Sequence, residues 1–249
     1  MRKNILITGA SSGLGEEMAR QFAAKGRNLA LCARRVERLD ALRDELVRDH
    51  PGISVVTQAL DVNDHDAVFA TFTEVRDELG GLDRVIVNAG LGKGAGIGTG
   101  RFDANKQTAL TNFVAGLAQC EAAMTLFREA NAGHLVVVSS VSALRGMPGA
   151  IAVYAATKAG VAALAEGIRS DALGTPIKVS TIYPGYIRSE MNEQVAHRIR
   201  FIVDTEPGVR AMVTAIEREP AKAIVPGWPW RVMAPAIRHL PLGIVRKLS

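Results

Sequence analysis

The stretch Asn4-Ile5-Leu6-Ile7-Thr8-Gly9-Ala10-Ser11-Ser12-Gly13-Leu14-Gly15 decides how the rest of this 249-residue chain is read. Asn4–Thr8 is a short apolar run, the length of a buried strand. Gly9, Gly13 and Gly15 follow it, and a helical pattern then runs from Gly13 to Lys25, with Gly26 as a stop. Glycine lets the backbone turn sharply and come close to a pyrophosphate. A helix opening at that turn offers unpaired N–H groups and a positive dipole end to the same phosphates. A glycine pattern alone is weak, but strand, turn and helix in this order make it a nucleotide-binding signature.

Apolar runs recur at Asn28–Ala33, Ile53–Ala59, Leu82–Asn88, His134–Ser140, Ile177–Tyr183 and, briefly, Ala223–Val225. Helical patterns separate them at Val36–Asp49, Asp64–Leu79, Asn105–Ala130 and Tyr154–Leu173. Val36, Leu39, Leu42 and Leu46 show the spacing, and His50-Pro51-Gly52 ends that helix. Strands alternating with helices of this length predict βαβ units joined by right-handed crossovers. Continuous apolar strands are those covered on both faces. The expectation is an α/β fold: a single doubly wound Rossmann domain over residues 1–225, with a central parallel sheet of about seven strands, and a C-terminal tail over 226–249.

Composition narrows the field. Apolar residues make up 48% of the chain, enough for a sizeable core, and the 22% of charged residues argues against disorder. The net charge of +5 is scattered, with no basic run resembling a nucleic-acid arm. Cys32 and Cys120 lie in apolar runs and read as buried free thiols, which suits a reducing cytoplasm. His50, His65, His134, His197 and His239 show no metal-ligand spacing. Met1-Arg2-Lys3-Asn4 leads directly into a strand, which fits no signal peptide. No apolar stretch is read as reaching the roughly 20 residues that span a bilayer.

Two further motifs point to chemistry. Ala33-Arg34-Arg35 ends the second strand, where an acid would bind the ribose 2′-hydroxyl of NAD and repel a 2′-phosphate. That acid is missing, and a guanidinium can hold a phosphate by two hydrogen bonds. Arg34 and Arg35 therefore favour NADP(H); the alternative is that they only start a solvated helix. Tyr154-Ala155-Ala156-Thr157-Lys158 places a phenol and an ammonium on one helix face. A cation beside a tyrosine favours the phenolate and lowers its pKa from about 10. Such a pair can pass a proton to or from an alcohol. Ser139, Ser140 and Ser142 lie just upstream.

Together these residues resemble the short-chain dehydrogenase/reductase family, over about residues 4–190. The resemblance implies that Thr8, Gly9, Ser11, Ser12, Gly13, Leu14 and Gly15 bind the dinucleotide and that Asp61 and Val62 lie beside its adenine. Asn88, Ala89 and Gly90 match the family's Asn-Ala-Gly. Asn112 matches its mid-helix asparagine, which holds a water linking Lys158 to solvent. Pro184, Gly185, Ile187 and Ser189 follow the sixth strand, with Ser189 where the family has a threonine on the nicotinamide amide. Tyr154 becomes the general acid/base, and Lys158 also binds the nicotinamide ribose. The family's usual serine position falls on Val141. Ser140, at the end of strand five, is the expected catalytic serine, with Ser142 the alternative if the loop is shifted.

The implied activity is reversible hydride transfer between NADP(H) and a small-molecule carbonyl or secondary alcohol, hydrophobic in character. The same scaffold also suits a non-catalytic NADP-binding regulator, or an isomerase using transient hydride transfer. The helices at 105–130 and 154–173 resemble those that pair family subunits, so a homodimer or homotetramer is expected.

Three segments stand outside the family pattern. Gly90–Gly100, with alternating glycines, reads as a flexible loop, either a connector or part of the active site. Residues 189–207 are expected to cover the substrate. Met191, Val195, Ile199 and Ile202 recur there at helical spacing, as core packing or as an apolar lid. In the tail, Trp228, Trp230, Val232, Leu242 and Ile244 alternate with Arg231, Arg238, Arg246 and Lys247, as in an interfacial segment. Pro229, Pro235 and Pro241 break any long helix, however. The tail is expected to pack on the domain or a partner rather than on a membrane.

Overall fold

The computed structural model describes residues 2–193 and 201–248, so Val195 and Ile199 lie outside the described residues. Seven strands, β1 (Asn4–Thr8), β2 (Asn28–Ala33), β3 (Val55–Ala59), β4 (Arg84–Val87), β5 (Gly133–Val138), β6 (Ile177–Pro184) and β7 (Lys222–Val225), form one sheet. All pair in parallel, in the order β3-β2-β1-β4-β5-β6-β7. The order reverses between β1 and β4, which opens a crevice at their carboxyl ends.

Helices cover both faces: α1 (Gly13–Ala23), α2 (Val36–Asp49), α3 (His65–Glu78), α4 (Phe102–Ala109), α5 (Ala115–Glu129), α6 (Ala152–Asp171), α7 (Thr205–Glu217), α8 (Trp230–His239) and α9 (Leu242–Leu248). Successive strand residues point to opposite faces, so each strand feeds two cores. Ile5, Ile7, Leu29 and Leu31 pack with Met18, Phe22, Leu39 and Met212 from α1, α2 and α7. Leu6, Ala30, Val85 and Leu135 pack with Phe72, Phe127 and Val161 from α3, α5 and α6. Burying each such side chain stabilises the fold by roughly 1.5–3 kcal/mol.

Several expectations need correction. The single helix read over Asn105–Ala130 is α4 and α5 joined by a π-helical turn, Leu110–Val114. No element was read between residues 207 and 222, yet α7 buries Val209, Met212, Val213 and Ile216 at helical spacing. Pro207 stands in its first turn, where no helical N–H donor is needed. In the tail, Pro241 separates α8 from α9 and Pro235 stands inside α8, so two short helices form. Gly149–Asp171 is a 23-residue helical stretch containing an 18-residue window of mean hydropathy 1.3, which makes it long and apolar enough to cross a membrane by length and composition. It is apolar because alanine and glycine let α6 lie close on the core through Ala155, Val161, Ala162 and Ala165.

The glycine-rich loop is irregular, as expected, but pinned. Asn112 pairs with the backbone of Leu91, Thr108 donates to the Lys93 carbonyl, and Asn105 accepts from the Ala95 amide at 2.9 Å. A Cβ on Gly94 would come within 2.2 Å of the Ala150 carbonyl, so that glycine marks a close approach of loop to loop.

Candidate active site

The carboxyl ends of β1, β4, β5 and β6 converge on the crevice. At β1 the chain turns through Gly9 and Gly13, with φ of 67° and 56°, a left-handed conformation that side chains other than glycine's rarely adopt. Gly15 is needed for a different reason: a Cβ there would lie 2.3 Å from the Gly9 carbonyl oxygen. Ser12, in extended backbone, precedes α1 without capping it by its side chain, so the N–H groups of the first turn face the crevice.

Thr8 and Asn88 hold this turn rather than line it. The Thr8 hydroxyl accepts from the Asn88 and Ala89 amides, each at 3.1 Å, and the Asn88 side chain donates to the Thr8 carbonyl at 3.0 Å. Gly90 lies beside the catalytic candidates, since a Cβ there would sit 3.5 Å from Lys158 Nζ. Leu14 packs on the core beside β1. Asp61 is exposed, and Val62 is buried behind it. Burial opposes ionisation of Asp61, but two hydrogen bonds from Asn63 and the nearby Arg34 charge outweigh it and hold the carboxyl below its usual range.

The two arginines at the end of β2 differ. Arg34 is exposed. Arg35 folds back over the glycine turn and donates to Ser11 Oγ at 3.2 Å and Ser12 Oγ at 2.7 Å. Its outer edge forks onto the Glu190 carboxylate, at 3.0 and 2.9 Å.

At β5, Ser139 and Ser140 point different ways. Ser139 Oγ donates to the Lys158 carbonyl at 2.7 Å, which ties α6 to the sheet. Ser140 Oγ accepts from the Ser142 amide at 3.1 Å and hydrogen-bonds the Tyr154 phenol. The extra residue in the loop therefore leaves Ser140, not Ser142, beside the tyrosine. Lys158 Nζ lies 5.9 Å from the centre of the Tyr154 ring and donates to the Val138 carbonyl at 2.9 Å. Burial pushes Lys158 down to about 8. Burial also raises Tyr154, only partly offset by the Ser140 hydrogen bond, so the lowering expected from the adjacent lysine is not what the protein alone provides.

Asn112 lies in the π turn. Its side chain accepts from the Leu91 amide at 2.7 Å, donates to the Leu91 carbonyl at 2.9 Å, and reaches Thr157 Oγ1 at 3.3 Å. Its Oδ1 would be 3.1 Å from a Cβ on Gly90, so it stands in the Lys158 neighbourhood. A π turn in this position is a common mark of a functional site.

Pro184 ends β6, and Ile187 is buried and paired with Val203. Ser189 sits 3.2 Å from where a Gly13 side chain would begin, so the segment after β6 lies on the glycine turn. Three neighbours were not read from the sequence as site residues. Tyr186 stands near Tyr154. Trp230 is buried, packs edge-on against Tyr186 at 5.3 Å, and leaves room only for glycine at position 185. Glu190 closes on Arg35. Only the Trp-Pro-Trp cluster carried a sequence signal for any of them.

The glycine cradle, the open end of α1 and the serine–arginine donor set fit the phosphates of a nicotinamide dinucleotide. The fold and these motifs define a dinucleotide-binding oxidoreductase. Residues 3–200 match the short chain dehydrogenase family model, and the chain belongs to that family. It is 51% identical over 248 residues to an uncharacterized oxidoreductase of Mycobacterium tuberculosis, covering 100% of this chain and 98% of the relative. Among solved structures it resembles a short-chain dehydrogenase from Sphingobium yanoikuyae in complex with NADPH. That likeness has a TM-score of 0.83 and 26% identity, over 99% of this chain and 96% of the other. It also resembles an NAD+-bound xylitol dehydrogenase, with a TM-score of 0.70 and 25% identity over 75% of this chain and 71% of the other.

Proposed function

We propose that this protein is an NADP(H)-dependent oxidoreductase that interconverts a small, hydrophobic carbonyl compound and its secondary alcohol. The observation that carries this reading is the convergence of Ser140, Tyr154 and Lys158 beside the glycine cradle. When bound, the cofactor supplies or accepts the hydride. The turn Gly9–Gly15 would hold its pyrophosphate, Asp61 and Val62 would flank its adenine, Pro184, Gly185 and Ile187 would back its nicotinamide, and Ser189 would meet the nicotinamide amide.

In reduction, the Tyr154 phenol donates its proton to the developing alkoxide. The Ser140 hydroxyl hydrogen-bonds the same oxygen and stabilises its charge. Lys158 would hold the nicotinamide ribose, and its positive charge stabilises the phenolate that Tyr154 becomes as its proton passes to the substrate oxygen. Asn112 fixes the loop at Leu91 and holds a water on the path from Lys158 to solvent. Tyr186 and Trp230 form an aromatic wall next to Tyr154, which suits a hydrophobic substrate.

NADP is favoured over NAD because β2 ends in Ala33, Arg34 and Arg35, with no acid to hold a free ribose 2′-hydroxyl. Pairing through α5 and α6 would give a homodimer or homotetramer, and the tail would close over the substrate opening or a partner. The decisive test is Tyr154→Phe. Turnover of NADPH with a panel of aldehydes and ketones should fall by roughly 100-fold or more, while NADPH binding by fluorescence titration is retained. Near-normal turnover by the variant removes Tyr154 from the mechanism. Wild-type enzyme should also consume NADPH in preference to NADH.

A further inference from the structure

The Glu190 carboxylate sits where a phosphate has every reason to sit. It lies in a fork of two Arg35 hydrogen bonds, with Arg38 at 3.6 Å and the Ser12 hydroxyl as a further donor. The same guanidinium reaches back to Ser11 and Ser12 on the glycine turn. These donors hold the Glu190 carboxyl down at about 2, so it is ionised at any working pH. Glu190 belongs to the segment after β6, whereas Arg35 and Arg38 flank the start of α2. The contact therefore bridges the crevice at the end of β2, where the NADP(H) reading puts the adenosine.

A guanidinium has one outer edge that presents two parallel N–H donors, and both carboxylates and phosphates take it bidentately. Arg35 spends its inner donors on Ser11 and Ser12 and its outer edge on Glu190. A phosphate cannot have that edge while the carboxylate keeps it. Two anions in one cradle also repel.

Resting on the NADP(H) reading above, we propose that Glu190 is an internal competitor for the 2′-phosphate. It fills the Arg35–Arg38–Ser12 cradle in the free protein and must swing away when a 2′-phosphorylated adenosine binds. Arg34, exposed and adjacent to Arg35 in the chain, is a further cation available for first contact. Two consequences follow. Glu190 weakens binding of 2′-phosphorylated nucleotides and leaves unphosphorylated ones nearly untouched. Binding also releases the segment carrying Ser189 and Met191 from the end of β2, so adenosine recognition is coupled to the region expected to cover the substrate. That coupling is reciprocal: whatever holds the segment elsewhere raises affinity for the 2′-phosphate.

The test uses the full-length protein and two probes that report only the adenosine end, adenosine 2′,5′-bisphosphate and 5′-AMP, with binding measured by calorimetry. Arg35 and Glu190 are both partly exposed, with side-chain accessibilities of 40% and 48%, so their pairing is of modest strength. E190Q should bind the bisphosphate about two- to fivefold more tightly than wild type and bind 5′-AMP unchanged. E190D, which keeps the charge on a shorter stem, should fall between. If wild type prefers the bisphosphate but E190Q binds it equally or less tightly, the competition is refuted and the NADP(H) reading stands. Weaker binding of both probes by E190Q would likewise refute the competition and make Glu190 a clamp over the nucleotide instead. If wild type binds the two probes alike, the NADP(H) reading fails and the competition fails with it.

Discussion

Arg84 and Lys158 are both buried cations, set at opposite ends of the same parallel sheet, and they are treated in opposite ways. Arg84, at the start of β4, is 1% exposed and surrounded by partners. It meets Glu217 at its Nη1, Glu219 at 3.4 Å, His134 Nδ1 at 2.8 Å and the face of Phe22 at 5.9 Å. Glu217 is shared with Arg27 and Glu219 with Arg2, so three guanidiniums and two carboxylates form one ion-pair network across β4, α7 and the turn before β7. Lys158 is 7% exposed and, among the described residues, has one hydrogen-bond partner, the neutral Val138 carbonyl, besides the Tyr154 ring at 5.9 Å. A buried charge left this poorly compensated opposes folding. Such a charge persists where an added group completes its shell, and in the proposed mechanism the cofactor ribose and the Tyr154 phenolate would do so.

His134 shows how thoroughly the Arg84 end is satisfied. Arg84 Nε–H donates to its Nδ1, so the ring proton is on Nε2. That proton goes to Ser180 Oγ at 2.8 Å, and the serine proton goes on to the Pro220 carbonyl at 2.6 Å. Burial and the adjacent arginine push His134 down to about 3, so the ring stays neutral. Each hydrogen in the chain has one acceptor.

The contrast can be broken most directly at Arg84. Arg84→Ala should cost about 3–5 kcal/mol in urea unfolding, because it strips Glu217, Glu219 and His134 Nδ1 of a buried hydrogen-bond partner and opens a void beside Phe22. The per-molecule kcat of what remains folded should be close to wild type. Loss of activity without loss of stability would mean that this cluster belongs to the site rather than to the scaffold.

Lys158→Met should do the reverse. A lysine whose pKa falls from 10.5 to about 8 on folding opposes folding by about 3 kcal/mol at neutral pH. Between pH 8 and 10.5 the unfolded chain binds more protons than the folded one, so this penalty shrinks as pH rises. The variant should be more stable than wild type below pH 8, with the difference fading by pH 10.5, and should have lost turnover. A variant less stable at pH 7 would show that the lysine is held by more than the Val138 carbonyl.

The smallest effect is expected at His134. Its folded pKa lies below its unfolded value, so stability is complete above pH 6.5 and falls as pH drops through the window down to about 3. Between pH 6.5 and 4.5, above the range where the paired carboxylates titrate, wild type should lose up to about 1.4 kcal/mol per pH unit from this group. His134→Gln keeps an acceptor for Arg84 and a donor for Ser180, and its unfolding midpoint should be flatter over the same pH range. An unchanged slope would assign the acid sensitivity elsewhere.

The two ends of the sheet also differ in how readable they were. β1, β2 and α2 fall at the expected residues, because burial on both faces writes a continuous apolar run and burial on one face writes a period of 3.6. Gly9, Gly13 and Gly15 announce a turn because no other residue tolerates it, and Tyr154 and Lys158 lie one helical turn apart, so their proximity is local. The Arg84 cluster left no such trace. Arg84 and Glu217 are 133 residues apart, and nothing in β4 or α7 alone says that they meet. α7 had its apolar spacing in the sequence, but Pro207 masked where it begins.

The sequence by itself determined the doubly wound sheet, the glycine cradle and the Tyr154–Lys158 pair, since each follows from periodicity or from backbone conformations within one element. Only the tertiary structure decided that Ser140 is the serine beside the tyrosine and that Arg35, not Arg34, folds onto the glycine turn. It alone placed Trp230 over Gly185 and put Glu190 in the Arg35 fork. These depend on how loops of unequal length bring distant elements within hydrogen-bond reach, and a change of one residue in a loop moves a side chain by the width of that bond.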